Sequence, residues 1–292
     1  MGLNEILLIA AALLPAIALC IYIFRKDRVE KEPIGLLLVL LGCGVIVTIP
    51  AAFLEGIITG IIDAFFSPFI VSMTEDGSAV FNSILSHRIY NFLTAFVGVA
   101  LVEEGLKWGA LILVTRKNRE FNSVFDGLIY AIFVSLGFAA FENVLYVIQN
   151  GWMVAIMRAI LSVPGHMFFA VMMGYYYSLW HITDKAAELE RTLQSEGILK
   201  FSGITFNSKN HIVMSILMPI LAHGLYDYCC FVGSGLATLA LYAFVIIMYI
   251  FCFARIKKMS AIDARDHDFA LAMVIKQYPF LAEQFGDRFC NQ

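Results

Sequence analysis

Charge is what this sequence has least of. Of its 292 residues only 15% are Asp, Glu, Lys or Arg, against about 25% in a typical soluble domain. Hydrophobic residues make up 60%, and the mean hydropathy is +0.81. That balance excludes an ordinary water-soluble globule, and the chain reads as an all-α, polytopic membrane protein. A net charge of −3 points to no nucleic-acid partner. The six cysteines, Cys20, Cys43, Cys229, Cys230, Cys252 and Cys290, form no C-x-x-C pair, so neither a disulfide framework nor a thiolate metal site is indicated. No basic residue precedes the first apolar run, which therefore reads as an uncleaved span and not as a removable signal. There is no internal repeat and no low-complexity segment.

What is abundant is apolar sequence in runs of about 20 residues, the length that crosses the hydrocarbon core as a helix. Seven candidate spans appear, at roughly 3–24, 34–54, 90–114, 125–148, 152–181, 211–231 and 236–254. The apolar stretch 56–71 is interrupted by Asp63 and Pro68 and reads as an extension of the second span or an interfacial helix. Lys and Arg cluster in alternate loops: Arg25 to Lys31, Arg116 to Arg119, Lys185 to Lys209, and Arg255 to Arg288. The positive-inside bias then predicts an N-terminus outside and a C-terminus in the cytoplasm. Residues 183–197 read as a helix projecting from the fifth span, with Gly197 as its stop. The expected organisation is a transmembrane domain over 1–255, with a functional core at about 90–232, and a peripheral cytoplasmic tail over 256–292.

Against this background the intramembrane polar residues stand out. The stretch LVEEGLKWGA places Glu103, Glu104 and Lys107 inside the third span. A charge at a helix centre costs roughly 2.5–3.5 kcal/mol to insert. Lys107, three and four residues on, can reach either acid on the helix surface, which leaves one carboxylate paired and the other free. The fourth span carries Glu142, Asn143 and Tyr146; the fifth carries His166 after Pro164 and Gly165, a pair expected to open the helix; the sixth carries His223 and, four on, Asp227. At ~1.5 Å per residue, these groups fall at compatible depths, with His166 about 20 Å along its span. Asp126 is expected to cap the start of the fourth span, Arg158 to snorkel to the interface, and Glu55 and Asp63 to be solvated at the outer edge.

Taken together, E-E-x-x-K at Glu103–Lys107, D-G-x-x-Y at Asp126–Tyr130, F-E-N-x-x-Y at Phe141–Tyr146, the P-G-H block at Pro164–His166 and H-G-x-Y-D at His223–Asp227 resemble the PrsW family of bacterial intramembrane proteases. The resemblance runs over residues 98–232, in order. It implies a multi-pass protein of the bacterial cytoplasmic membrane that makes the first cut in a single-pass anti-sigma factor, releasing a stress-response sigma factor. The wider group of CAAX-prenyl-type proteases has E-E-x-x-x-R and H-x-x-x-N blocks. Lys107 and Asp227 depart from these, which points away from a prenylated substrate.

Peptide hydrolysis needs an activated water, a stabilised oxyanion and a proton for the leaving amine. Glu103, Glu104, His166 and His223 are the candidate catalytic residues, with Lys107, Glu142, Asn143, Tyr146 and Asp227 in support. Zinc or another divalent metal is a candidate cofactor, since two histidines and carboxylates are suitable ligands. However, H-E-x-x-H is absent, and metal-dependent and glutamate-only mechanisms both stay open. The same residues would serve a proton-coupled transporter, although such proteins more often show repeated halves.

Overall fold

The computed structural model describes residues 2–28, 30–74, 79–200, 203–263 and 265–285; Arg288 and Cys290, assigned above to the tail and the cysteine set, lie outside them. Among the described residues the fold is all-α apart from one small hairpin and an isolated bridge between Ser123 and Arg265. Helices α1 (Leu3–Lys26) and α2 (Ile34–Phe66) are followed by antiparallel β1 (Ile70–Met73) and β2 (Ala79–Phe81). Then come α3 (Ile84–Leu93), α4 (Leu101–Thr115), α5 (Asp126–Ile160), α6 (Ser162–Ser195), α7 (Lys209–Val232), α8 (Gly235–Ala261), α9 (Asp266–Gln277) and a terminal turn, α10 (Ala282–Phe285). By length and composition, five helical stretches among the described residues are apolar and long enough to cross a membrane: Leu3–Lys26, Ile34–Phe69, Asp126–Ser195, Lys209–Val232 and Gly235–Ala261.

The first half of α5 is the axis of the bundle. Every residue from Asp126 to Ala139 is buried, so this helix is apolar all round, as a core helix must be. Its neighbours approach at small residues. A Cβ on Gly44 of α2 would stand 2.0 Å from the Val134 carbonyl, and one on Gly137 of α5 would stand 2.1 Å from the Leu41 carbonyl. Each glycine therefore admits the backbone of the other helix, the usual way helices meet closely where lipid supplies no hydrophobic drive.

Two departures from the expected spans matter for the site. First, the segment expected at 90–114 is a longer helix built from α3, a π-helical turn at Thr94–Ala100 and α4. The π turn ends just before Glu103, and such turns are frequent at functional sites. Second, the expected fifth span does not begin at 152. Gly151 adopts φ 77° and ψ −162°, a conformation only glycine takes readily, and Leu161 interrupts the chain again at φ −107°, ψ −58°. Residues 152–160 form a short separate helical piece, and α6 starts at Ser162. His166 is thus in the second turn of α6, about 6 Å from its start, not about 20 Å along a span. Pro164 does not open the helix, because in a first turn its missing N–H has no partner to lose.

The end of α6 agrees with the sequence. The helix stops at Ser195, and Gly197 turns the chain at φ 74°. Helix α9 and the turn that follows it return against it, with Ala270 and Val274 of α9 and Leu281 of the turn packed on Ala186 and Leu193, and with His181 3.0 Å from Asp266. Asp126 does not cap the donors that follow it. Its carboxylate accepts the backbone N–H groups of Asn122 and Ser123 and so fixes the loop leading into α5. The 56–71 stretch is mostly the last turns of α2, and Asp63 there is not simply solvated: it accepts the Tyr90 hydroxyl at 2.8 Å.

Candidate active site

The site is assembled by α4, α5, α6 and α7 around Lys107. Its ammonium donates to Glu103 Oε2 at 2.8 Å, to Glu104 Oε1 at 2.8 Å and to His166 Nδ1 at 3.1 Å. Lys107 and Glu104 are fully buried and Glu103 is 4% exposed. Sequence spacing predicts one paired acid and one free; instead the lysine holds both. Its three N–H bonds point at three acceptors, and its charge also lies 4.1 Å from the Phe138 ring centre, so the cation is satisfied on every side.

This arrangement sets the histidines. Because Lys107 donates to His166 Nδ1, the ring proton of His166 sits on Nε2, where it donates to Glu142 at 3.0 Å. The Ser135 hydroxyl donates to the His166 carbonyl at 2.9 Å, tying the second turn of α6 to the axis helix. His223 donates from Nδ1 to Glu104 Oε1 at 2.9 Å, and its Nε2 is 3.3 Å from Asp227, one helical turn on. Phe169 stacks on His223 with ring centres 4.7 Å apart. The two imidazoles are 5.6 Å apart, and each has a nitrogen 4.0 Å from Glu103.

Arg158 is not a snorkelling residue. The breaks at Gly151 and Leu161 turn the 152–160 piece so that its guanidinium donates to Glu142 Oε2 at 2.8 Å and to Asn143 Oδ1 at 2.9 Å. It also lies over Tyr146, 4.1 Å from the ring centre. The Asn143 amide in turn donates to the Ala12 carbonyl at 2.7 Å. Glu142, Asn143 and Tyr146 thus form a cradle for an arginine that sequence alone places at the membrane interface.

A cavity of about 300 Å³ opens onto this cluster. Glu103, Glu142, His166, His223 and Asp227 all line it, with Arg158 and Tyr146. Glu104 and Lys107 do not; they stand behind the wall. Glu55 of α2, expected to be solvated at an edge, lines the cavity as well. Its only sequence signal was an acid within a long apolar helix.

The donors fit a divalent cation. Glu103, Glu104 and His166 each offer a ligand atom, all within 4.8 Å of one another, a carboxylate and imidazole set suited to zinc. Glu104 Oε2 is buried without a hydrogen-bond partner among the described residues, so one ligand position is unspent. In this structure the Lys107 ammonium provides the positive charge at that centre.

The chain has clear relatives. The family model described as PrsW family intramembrane metalloprotease matches residues 32–254. A Protease PrsW of Clostridioides difficile is 31% identical over 244 residues, covering 82% of this chain and 85% of that protein. One of Oceanobacillus iheyensis is 30% identical over 251 residues, covering 86% and 95%, and one of Bacillus subtilis is 27% identical over 258 residues, covering 88% and 97%. No solved structure matches the chain. The match extends through α2 and into α8, beyond the motifs of the four site-bearing helices, and the chain belongs to the PrsW family of intramembrane proteases.

Proposed function

We propose that this intramembrane protease hydrolyses a peptide bond of a single-pass membrane protein near the outer face of the bacterial cytoplasmic membrane. The substrate class that the family resemblance implies is an anti-sigma factor. The observation that carries the assignment of roles is the split between the two adjacent glutamates: Glu103 faces the cavity, whereas Glu104 is sealed behind it. Seven spans with the N-terminus outside fit the alternation of basic loops. In that orientation the cavity mouth, at the ends of α5 and α7, lies toward the outer leaflet.

Glu103 takes a proton from a water in the cavity as the water oxygen attacks the scissile carbonyl carbon. The developing oxyanion meets the Arg158 guanidinium, the cation on the cavity wall whose fork has N–H groups beyond the two that Glu142 and Asn143 accept. When the C–N bond breaks, the leaving amine takes the proton that Glu103 held. Glu104 keeps Lys107 and His223 in place, and Asp227 and Glu142 orient the two imidazoles from their far nitrogens. Glu103, Glu104 and His166 are the residues that would hold a divalent cation, which when bound polarises a carbonyl and makes its water more acidic.

The test is cleavage in proteoliposomes with no ion gradient, using single-pass reporters tagged on their outer segment. Fragments released by the wild type and not by Glu103→Gln support the reading. Gradient-driven solute uptake with no proteolysis of any reporter overturns it in favour of a transporter.

A further inference from the structure

Every acid on the cavity wall but one has a cationic or imidazole partner. Glu103 has Lys107, Glu142 has Arg158 and His166, and Asp227 has His223. The exception is Glu55. It is half-buried in the same wall, and among the described residues its carboxylate makes no ion pair and accepts no hydrogen bond. A carboxylate withdrawn from water without a counter-charge is unfavourable, and α2, which supplies it, brings no other ionisable group to the cavity. An arrangement of this kind is balanced when the missing charge arrives with the ligand.

We infer that Glu55 is a substrate-recognition residue, whose carboxylate receives a lysine or arginine side chain of the segment being cut. The cavity suits such a group at both ends. Its wall includes Val99, Leu161 and Phe231, against which the apolar stem of a long basic side chain can lie while its charged head meets the acid. Arg158 in the same wall repels a second cation, so one basic residue at one position relative to the scissile bond is selected, and not a generally basic segment. The inference rests on the protease reading given above and adds a subsite to it.

The experiment is a selection in cells. A library of single-pass reporters, randomised over the outer end of the helix and the segment that follows, is expressed with the wild type, with Glu103→Gln or with Glu55→Gln. Release of an outer tag is sorted, and the released reporters are sequenced and their new termini mapped. The expected result is enrichment of Lys or Arg at one position from the cut site with the wild type, falling about ten- to a hundredfold with Glu55→Gln, the range for losing a charge-assisted hydrogen bond. Glu55→Asp, which keeps the charge, retains part of the enrichment. Three results overturn the inference: no basic enrichment with the wild type, the same enrichment with Glu55→Gln, or loss of all release with Glu55→Gln, which makes the residue part of the hydrolytic or folding machinery. Release no greater with the wild type than with Glu103→Gln defeats the protease reading itself, and the subsite with it.

Discussion

The guanidinium of Arg158 lies 2.8 Å from the Glu142 carboxylate, although the chain between them is broken at Gly151. That contact couples a short helical piece at the cavity mouth to the acid that orients His166. Removing the arginine leaves a largely buried carboxylate with only an imidazole for a partner. We expect Arg158→Ala to lower kcat/KM about a hundredfold, the scale of losing an orienting partner. We also expect Arg158→Ala with Glu142→Gln to lose less than the sum of the two single changes, a coupling of about 0.5–3 kcal/mol. Strictly additive losses in the double-mutant cycle refute the pairing as a functional contact.

Lys107 is the hub whose loss should hurt the fold most. Lys107→Met leaves Glu103 and Glu104 facing each other without their shared cation, and breaking a buried ion pair on one side costs about 3–5 kcal/mol. The melting temperature in detergent should fall sharply. It should recover in part when Glu104→Gln is added, because one of the stranded charges is then gone. An unchanged melting temperature in Lys107→Met excludes the lysine from any structural part in the cluster.

The two adjacent glutamates should fail differently. Glu103→Gln is expected to abolish cleavage while lowering the melting temperature less than Glu104→Gln does, since the new amide oxygen still accepts from Lys107 and Lys107 keeps its pair with Glu104. Glu104→Gln is expected to lose cleavage and stability together, because Lys107 and His223 both lose a fully buried partner. Equal melting temperatures for the two variants would mean that facing the cavity does not distinguish their roles.

Much of this site can be read from the sequence for a simple reason: ionisable residues are so costly in an apolar helix that their presence marks a position. The reach of Lys107 to both acids follows from helical spacing alone, and so does that of His223 to Asp227. What spacing does not reveal is which helices touch. The bonds from His166 to Glu142 and from His223 to Glu104 cross between helices, and only packing determines them. The direction of Arg158 depends on two backbone breaks, at Gly151 and Leu161, inside a run that hydropathy reads as continuous. Glu55 gives no such signal, because α2 carries no motif, and an acid at the edge of an apolar run reads as solvated until its neighbours are known. The β1–β2 hairpin is not legible in the sequence, because its strands are too short to show a period of two.

Glu32, between α1 and α2, provides a test on the far side of the molecule. It is 5% exposed, accepts the Tyr130 hydroxyl at 2.7 Å, and its backbone N–H donates to Asp27 at 3.0 Å. Burial, and after it the nearby negative charge of Asp126, push its carboxyl up to about 9. In the unfolded chain the same group ionises in the ordinary range, near about 4.3. The folded protein therefore binds a proton that the unfolded chain has released, and stability is greatest below the ordinary carboxylate range and declines as pH rises through the window up to about 9. Glu32→Gln removes that dependence. Its amide oxygen still accepts from Tyr130 and its NH2 can stand in for the protonated carboxyl toward Asp126, so the fold keeps its contacts without having to hold a proton. Melting curves between about pH 5 and pH 9 should fall for the wild type and stay flatter for Glu32→Gln, with the variant the more stable at the alkaline end. Parallel curves for the two proteins would show that Glu32 is ionised in the folded state throughout.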